Sequence, residues 1–216
     1  MGHYGPQGWW PGDGALEICV GAILTQNTNW SNVNLAMTQL KAVGALSVDR
    51  LHNLPEANLA ELIRSSGYFN VKARKLKAFA GHLVGLYNGD ITALLKKPSL
   101  QDLRQELLSI YGIGEETADD MLLYAAGRPI FVVDSYTQRI VDRLGLERPN
   151  VFGRPEKKPY GAYQDFFMEH LPLNTSLFNE FHALLVRLGK DVCKKRNPLC
   201  NACPLQMVCG TGQVVR

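Results

Sequence analysis

The sequence predicts an all-α protein, and three observations support that fold class. Apolar residues recur at spacings of three and four along most of the chain, which is the period of an amphipathic helix. The one β-like run, residues 130–133, is too short and too isolated to build a sheet. Glycine and proline turn signals separate the periodic segments. We therefore expect about ten helices packed on one another.

Composition and charge narrow the class of protein. The 216 residues suffice for one or two domains, and 46% hydrophobic with 20% charged residues is typical of a folded soluble chain. The apolar run 18–24 is too short to span a membrane, and the N-terminal segment lacks the pattern of a signal peptide. We expect a cytoplasmic protein with no membrane segment. The net charge of +3 only mildly favours a nucleic-acid partner.

Cysteines are concentrated at the C-terminus. Four of the five lie in the last 24 residues with the spacing C-x6-C-x2-C-x5-C: Cys193, Cys200, Cys203 and Cys209. An odd total without a secretion signal argues against a disulfide framework, whereas clustered thiolates are soft metal ligands. The spacing alone leaves a zinc site and a [4Fe–4S] cluster equally open. Cys19 lies in an apolar run and is read as a small buried residue.

A helical hairpin is predicted between residues 99 and 127. Ser99 followed by Asp102 resembles a capping box, and it opens a helix that extends to about residue 111. Gly112-Ile113-Gly114 forms the turn, and a second helix begins at Glu115 and ends at Gly127. Such a turn can present backbone N–H groups to a phosphate, although an ordinary αα-hairpin is the alternative.

Six segments together resemble a helix–hairpin–helix DNA glycosylase of the endonuclease III superfamily. They occur in the family's order: residues 22–28, 66–74, 111–119, 131–136 and 187–193, and the cysteine tail. The resemblance implies a two-lobed fold: a six-helix lobe at residues 17–127, with the helix–hairpin–helix at about 99–127, and a cluster lobe formed by residues 1–16 and 128–216. It also implies that the loop 193–209 binds a [4Fe–4S] cluster.

The same resemblance implies a monomeric base-excision enzyme that binds damaged double-stranded DNA between its lobes. Enzymes of this kind rotate the damaged nucleotide out of the duplex, because its glycosidic bond cannot be reached inside the stack. The family's gap-filling side chains match Gln26 and Tyr68, which could also be ordinary turn residues. Contacts to the DNA backbone are expected from two sets of residues: Gly112, Gly114 and Thr117 in the hairpin, and Lys194, Lys195 and Arg196 between the cysteines.

Asp134 is the candidate catalytic residue. Cleavage of an N-glycosidic bond builds positive charge on the sugar, which an ionised carboxylate stabilises. The alternative is that Asp134 only caps the helix beginning at Ser135. Lys190 is the second candidate. It matches a lysine that the endonuclease III-like 3-methyladenine DNA glycosylases, a branch of this superfamily, place near the catalytic pocket, although it could instead face a phosphate.

Glu116 occupies the position at which bifunctional members of the family carry a lysine. A carboxylate cannot form the imine that leads to strand cleavage, so water is the expected nucleophile. We therefore expect a monofunctional glycosylase with weak or absent lyase activity. Acidic residues also suit the first turn of a helix.

The N-terminal tryptophans indicate a branch of the family. Residues 8–12, residues 25–30 and Glu116 resemble the endonuclease III-like 3-methyladenine DNA glycosylases, whose base pocket matches Trp9, Trp10, Pro11 and Trp30. Indole faces attract a cationic N-methylated purine, although adjacent tryptophans can also serve a core. The four retained cysteines keep open a glycosylase and lyase for oxidised or deaminated pyrimidines. The missing lysine leaves a non-catalytic binder of abasic or distorted DNA as a further alternative.

Overall fold

The computed structural model describes residues 2–146 and 159–214, and in this part of the chain it contains no strand, which confirms the all-α prediction. Twelve α-helices are present in the described residues: α1 Ala15–Thr25, α2 Trp30–Ala42, α3 Val48–Asn53, α4 Glu56–Leu62, α5 Phe69–Tyr87, α6 Ile91–Leu95, α7 Leu100–Ser109, α8 Glu115–Asp120, α9 Ser135–Leu144, α10 Pro159–His170, α11 Thr175–Asp191 and α12 Gly210–Val214.

The chain divides into two compact units. The hairpin unit comprises residues 10–128, and the terminal unit comprises residues 1–9 with 129–216. Residues 10–16 therefore belong to the hairpin unit, whereas the sequence analysis expected them in the cluster lobe. The cluster lobe was also expected to include residues 1, 147–158, 215 and 216, which lie outside the described residues.

The hairpin unit is built around α1 and α5. Every residue of α1 from Ile18 to Leu24 is buried, because this apolar run leaves no polar face. Helix α5 is amphipathic and packs its apolar face on α3 and α4. It begins after Tyr68 and ends at Asn88, and both of these residues adopt left-handed backbone conformations.

The helix–hairpin–helix forms where the sequence predicted it. Ser99 caps α7 by accepting the Asp102 amide at 3.1 Å, and the hairpin turn leads into α8. Helix α8 continues as a π-helical turn at Met121–Ala125, after which Gly127 has a φ of 64°. Arg104 of α7 donates two hydrogen bonds, of 2.7 and 3.0 Å, to the fully buried carboxylate of Asp119 in α8.

The terminal unit packs α9 against α11. The β-like residues 130–133 are buried but form no strand, and Phe131 stacks on Phe167 with ring centroids 4.0 Å apart. Gly189 of α11 lies so close to Tyr136 of α9 that an added Cβ would be 2.5 Å from the ring. No helix among the described residues has the length and apolarity needed to cross a membrane.

Candidate active site and nucleic-acid interface

Asp134 is the N-cap of α9, which is one of the two roles predicted for it from the sequence. Its backbone is extended, and Oδ1 accepts the Thr137 amide at 2.7 Å. The cap holds Oδ1 in place, while Oδ2 takes no part in it. The side chain is 13% exposed, so the carboxylate is largely withdrawn from water without being sealed.

His182 of α11 lies beside this free oxygen. Its Nε2 is 3.8 Å from Asp134 Oδ2, and its side chain is only 5% exposed. No sequence motif marks His182 as a functional residue. A signal was available, because His182 occupies a buried position of the α11 pattern between Phe178 and Leu185.

The surroundings of Asp134 favour its charged form. Burial raises the pKa of this carboxyl, but His182 and the Thr137 groups more than offset that effect and hold the pKa below its usual value of 3.8. Asp134 is therefore ionised at neutral pH. An ionised carboxylate in a poorly solvated position is suited to stabilising positive charge.

Lys190 lies in the last turn of α11 with an exposed side chain. No hydrogen bond or ion pair joins it to Asp134 among the residues that the structure describes. The structure therefore pairs Asp134 with His182 rather than with Lys190.

In the hairpin unit, the predicted turn has the geometry expected of it. Gly112 has a φ of 84°, and the Ile113 amide closes the turn on the Ile110 carbonyl at 3.1 Å. The neighbouring isoleucine side chains, Ile110 and Ile113, are buried and anchor the turn. Gly114 is the N-cap of α8 and provides no side-chain cap, so the first amides of that helix receive no bond from it.

Gln26 is bonded to this hairpin. Its Nε2 donates to the Gly112 carbonyl at 3.0 Å and to the Thr117 hydroxyl at 2.9 Å, while its Oε1 accepts from Lys75 at 2.5 Å. A gap-filling role in DNA would require Gln26 to leave all three bonds. The Thr117 side chain is buried and supports the hairpin from within.

Tyr68 has the exposure expected of a side chain that inserts into DNA. It is 70% exposed and has a left-handed φ of 47°, which is unfavourable for a tyrosine. Strained residues of this kind are concentrated at functional sites. Asn27, in the loop that carries Gln26, is left-handed as well, with a φ of 55°.

A buried lysine joins these two loops. Lys72 of α5 is 2% exposed and donates to the carbonyls of Leu24 at 2.8 Å and Ser66 at 2.6 Å. Burial and, secondarily, the charge of Lys75 lower the pKa of Lys72 to about 8. Lys72 therefore fixes the end of α1, which precedes Gln26, to the turn that precedes Tyr68.

Glu116 lies in the first turn of α8 with Glu115. Acidic side chains there interact favourably with the positive end of the helix dipole. This structural reason for the residue supplies no amine that could act as a nucleophile.

Trp10 and Trp30 are in contact in the hairpin unit, but they are not parallel. Their ring centroids are 5.2 Å apart with an interplanar angle of 87°, and Tyr124 completes the cluster at 5.0 Å from Trp10. Tyr124 was not identified from the sequence, because the π-helical turn that carries it was not foreseen. Trp9 belongs to the terminal unit, and Pro11 is exposed.

The four C-terminal cysteines line one cavity of the terminal unit, and none of them forms a disulfide. Their sulfurs receive donors: Arg143 Nη1 contacts Cys193 Sγ at 3.3 Å, and the Gly212 amide contacts Cys209 Sγ at 3.4 Å. Within the described residues, no three His, Cys, Asp or Glu side chains are grouped as ligands of a single ion. Burial and the nearby charges of the other three cysteines raise the pKa of Cys203, which disfavours its thiolate. Four thiolates can be held together here only if a cationic centre offsets their mutual repulsion. This donor set fits an iron–sulfur cluster.

The basic loop is held by α9. Arg143 donates to the carbonyls of Lys194 at 2.7 Å and Lys195 at 3.2 Å, and Arg139 donates to the carbonyl of Cys193 at 2.8 Å. The side chains of residues 194–196 are exposed. With the backbone of the loop fixed, its three cations project into solvent, where a phosphate backbone could meet them.

Comparison with known proteins identifies the family. Residues 20–158 match the model of the HhH-GPD superfamily of base excision DNA repair proteins. The chain belongs to this superfamily. It is a base excision repair DNA glycosylase of the helix–hairpin–helix class, as the sequence motifs had indicated.

Relatives and solved structures agree with that assignment. The chain is 42% identical over 210 residues to a protein of Methanocaldococcus jannaschii that bears the provisional name of a DNA repair glycosylase, with 97% of this chain and 91% of the relative covered. The fold is similar to the H. pylori 3-methyladenine DNA glycosylase MagIII bound to 1,N6-ethenoadenine, with a TM-score of 0.72, 27% identity and coverage of 84% and 87%. A non-covalent endonuclease III–DNA complex matches the fold with a TM-score of 0.77, 24% identity and coverage of 94% and 86%.

Proposed function

We propose that this glycosylase is monofunctional, and that it hydrolyses the glycosidic bond of alkylated purines such as 3-methyladenine in double-stranded DNA. The observation that carries the proposal is the buried and ionised carboxylate of Asp134 in a chain with Glu116 at the lysine position. Asp134 supplies charge for the transition state, while Glu116 supplies no amine. Hydrolysis by water is the chemistry that remains.

The reaction needs little acid catalysis on such a substrate. An N-alkylated purine is cationic and leaves readily, so the developing charge is on the sugar. Asp134 Oδ2 stabilises that charge and orients the attacking water, while Oδ1 remains committed to the helix cap. Lys190 is placed near the catalytic pocket in this proposal, and its exposed side chain also suits a phosphate contact.

Substrate preference is assigned to the aromatic cluster of the hairpin unit. The faces of Trp10, Trp30 and Tyr124 are electron-rich and attract a cationic base more strongly than a neutral one. The perpendicular arrangement of the two indoles implies that one of them turns when a base stacks between them. Similarity to a 3-methyladenine glycosylase supports this preference.

DNA is held by the exposed basic loop and by the hairpin, with Tyr68 and Gln26 filling the space that the flipped nucleotide leaves. Cys193, Cys200, Cys203 and Cys209 would bind a [4Fe–4S] cluster, which would supply a rigid cross-link of the C-terminal loop. In this proposal the hairpin unit and the terminal unit serve as the two lobes of the enzyme, and it acts as a monomer.

A single-turnover assay on duplexes carrying alkylated purines or oxidised or deaminated pyrimidines, with and without alkali, tests the proposal. We expect base release from alkylated purines, strand breaks only after alkali, and no covalent adduct with borohydride. Asp134→Asn should abolish base release and leave DNA binding intact. Activity on pyrimidine lesions alone would favour the second candidate, which the retained cysteines support. Binding without release on every duplex would favour a non-catalytic binder.

A further inference from the structure

We propose that His182 is the positioning residue of Asp134, because it orients the one carboxylate oxygen that the helix cap leaves available. The inference rests on the proposed catalytic role of Asp134, and it assigns to His182 a part in the chemistry that no sequence motif indicated.

The geometry assigns the two carboxylate oxygens to different partners. Oδ1 is committed to the Thr137 amide at 2.7 Å, which fixes the side chain at the start of α9. Oδ2 faces His182 Nε2 from the neighbouring helix at 3.8 Å. Contacts from two helices therefore fix the plane of the carboxylate, since the cap holds only Oδ1 and leaves the carboxylate free to rotate about that one hydrogen bond.

His182 is a polar side chain surrounded by buried apolar residues, so its presence there needs a reason. His182 is 5% exposed, and its neighbours on the same face of α11, Phe178 and Leu185, are both buried and apolar. A buried imidazole at such a position costs desolvation that a leucine would avoid. The Asp134 contact gives a reason for that cost.

Other polar groups near Asp134 have different tasks. Thr137 of α9 acts on Asp134 through its backbone amide, which donates to Oδ1. From α10, the Tyr160 hydroxyl accepts the Val133 amide at 3.4 Å, one residue earlier in the chain. Among the described residues, His182 is the ionisable side chain that faces Asp134.

At 3.8 Å the contact is electrostatic rather than a full hydrogen bond. Catalytic contacts of this length often tighten when the substrate binds. His182 therefore acts through Asp134, by holding Oδ2 in place and favouring its charge. It does not itself touch the reacting atoms.

Two variants separate positioning from mere packing. His182→Leu fills the space but removes the imidazole, so burial of Asp134 is no longer opposed from α11. His182→Gln keeps a neutral donor that can restore orientation. Leu185→Ala, a truncation of a buried apolar residue on the same helix, is the control for lost stability.

The decisive measurement is the carbon-13 titration of the Asp134 carboxyl, assigned by its absence in Asp134→Asn. We expect its midpoint to rise by about one pH unit or more in His182→Leu and to stay unchanged in Leu185→Ala. An unchanged midpoint in His182→Leu would overturn the inference. This titration needs no substrate, so its outcome does not depend on the lesion proposed above.

Single-turnover rates test the consequence for activity. On acidification, His182→Leu should lose activity at a higher pH than the unaltered enzyme does, and His182→Gln should recover part of the plateau rate. Equal pH profiles in all variants would contradict the positioning role. If the unaltered enzyme releases no base from any duplex, the proposed function fails, and the carboxyl titration still decides the role of His182.

Discussion

The side-chain stem of Lys75 lies directly on Gly112, so closely that a Cβ built at residue 112 would be 2.3 Å from Lys75 Cγ. The same lysine donates to Gln26, which in turn donates to the Gly112 carbonyl. Burial lowers the pKa of Lys75. The hairpin turn is thus covered by a lysine of α5 and fixed by a glutamine that follows α1.

Gly112→Ala should destabilise the hairpin. Alanine resists the left-handed φ of 84°, at a cost of about 1–3 kcal/mol, and its methyl group displaces Lys75. Gly114→Ala is the matched control, because its φ is −98° and a Cβ there meets nothing within 4 Å. Urea midpoints and affinity for an undamaged duplex measure the difference. Equal midpoints for the two variants would contradict this reading of the turn.

Glu106 should contribute acid-sensitive stability. Burial alone would raise its pKa, but bonds from Lys97, Tyr87 and His82 lower it to about 2, below the ordinary value of 4.5. A depressed carboxyl pKa stabilises the fold above the unfolded-state value, and that stability is lost as the pH falls through the folded-state value. We expect Glu106→Gln to cost about 2–3 kcal/mol at pH 7 and much less near pH 2. Denaturation at several pH values measures this; a penalty that does not depend on pH would contradict it.

The purified protein should be yellow-brown and contain about four iron atoms per chain. Replacing any one of Cys193, Cys200, Cys203 or Cys209 by serine should lower the iron content and weaken DNA binding before it affects base release. Cys19→Ala is the control. Cys19 is fully buried in α1, far along the chain from the four C-terminal cysteines, so this substitution should leave the iron content unchanged. One equivalent of zinc without iron, after anaerobic purification, would refute the cluster assignment.

Trp30→Ala should reduce activity selectively on cationic bases. Loss of one stacking ring costs roughly 1–3 kcal/mol, or about five- to 150-fold in rate on methylated adenine. Neutral lesions should suffer less, since they lack the cation–π attraction. Met37→Ala, a core truncation in the same helix, is the control and should lower the melting temperature. A uniform loss with Trp30→Ala and a large drop in melting temperature would make Trp30 structural.

Local features of this protein could be predicted from the sequence, and contacts between helices could not. The caps at Ser99 and Asp134 and the helix end at Gly127 depend on a few adjacent residues, and the structure confirms all three. His182 and Lys72 were missed because their partners lie 48 residues away in each case, at Asp134 and Leu24. Single-sequence periodicity marks such residues as buried but does not name what they contact.

Tyr124 illustrates a second limit. Regular spacing assumes one helical period, whereas the π-helical turn at Met121–Ala125 inserts an extra residue and shifts the faces that follow. The prediction that this helix extends to about residue 126 was therefore correct. It did not indicate that Tyr124 is the side chain that contacts Trp10.

Helix α9 links two functional regions of the terminal unit, one at each of its ends. Asp134 caps its first turn, and Arg143 in its last turn fixes the loop that carries the cysteines. Ten residues of helix span about 15 Å. A small tilt imposed at the loop end is transmitted to the carboxylate, and misplacement by about 1 Å can cost a hundredfold in rate. Damage to the C-terminal loop is therefore expected to displace the proposed catalytic carboxylate as well as the basic residues that the loop carries.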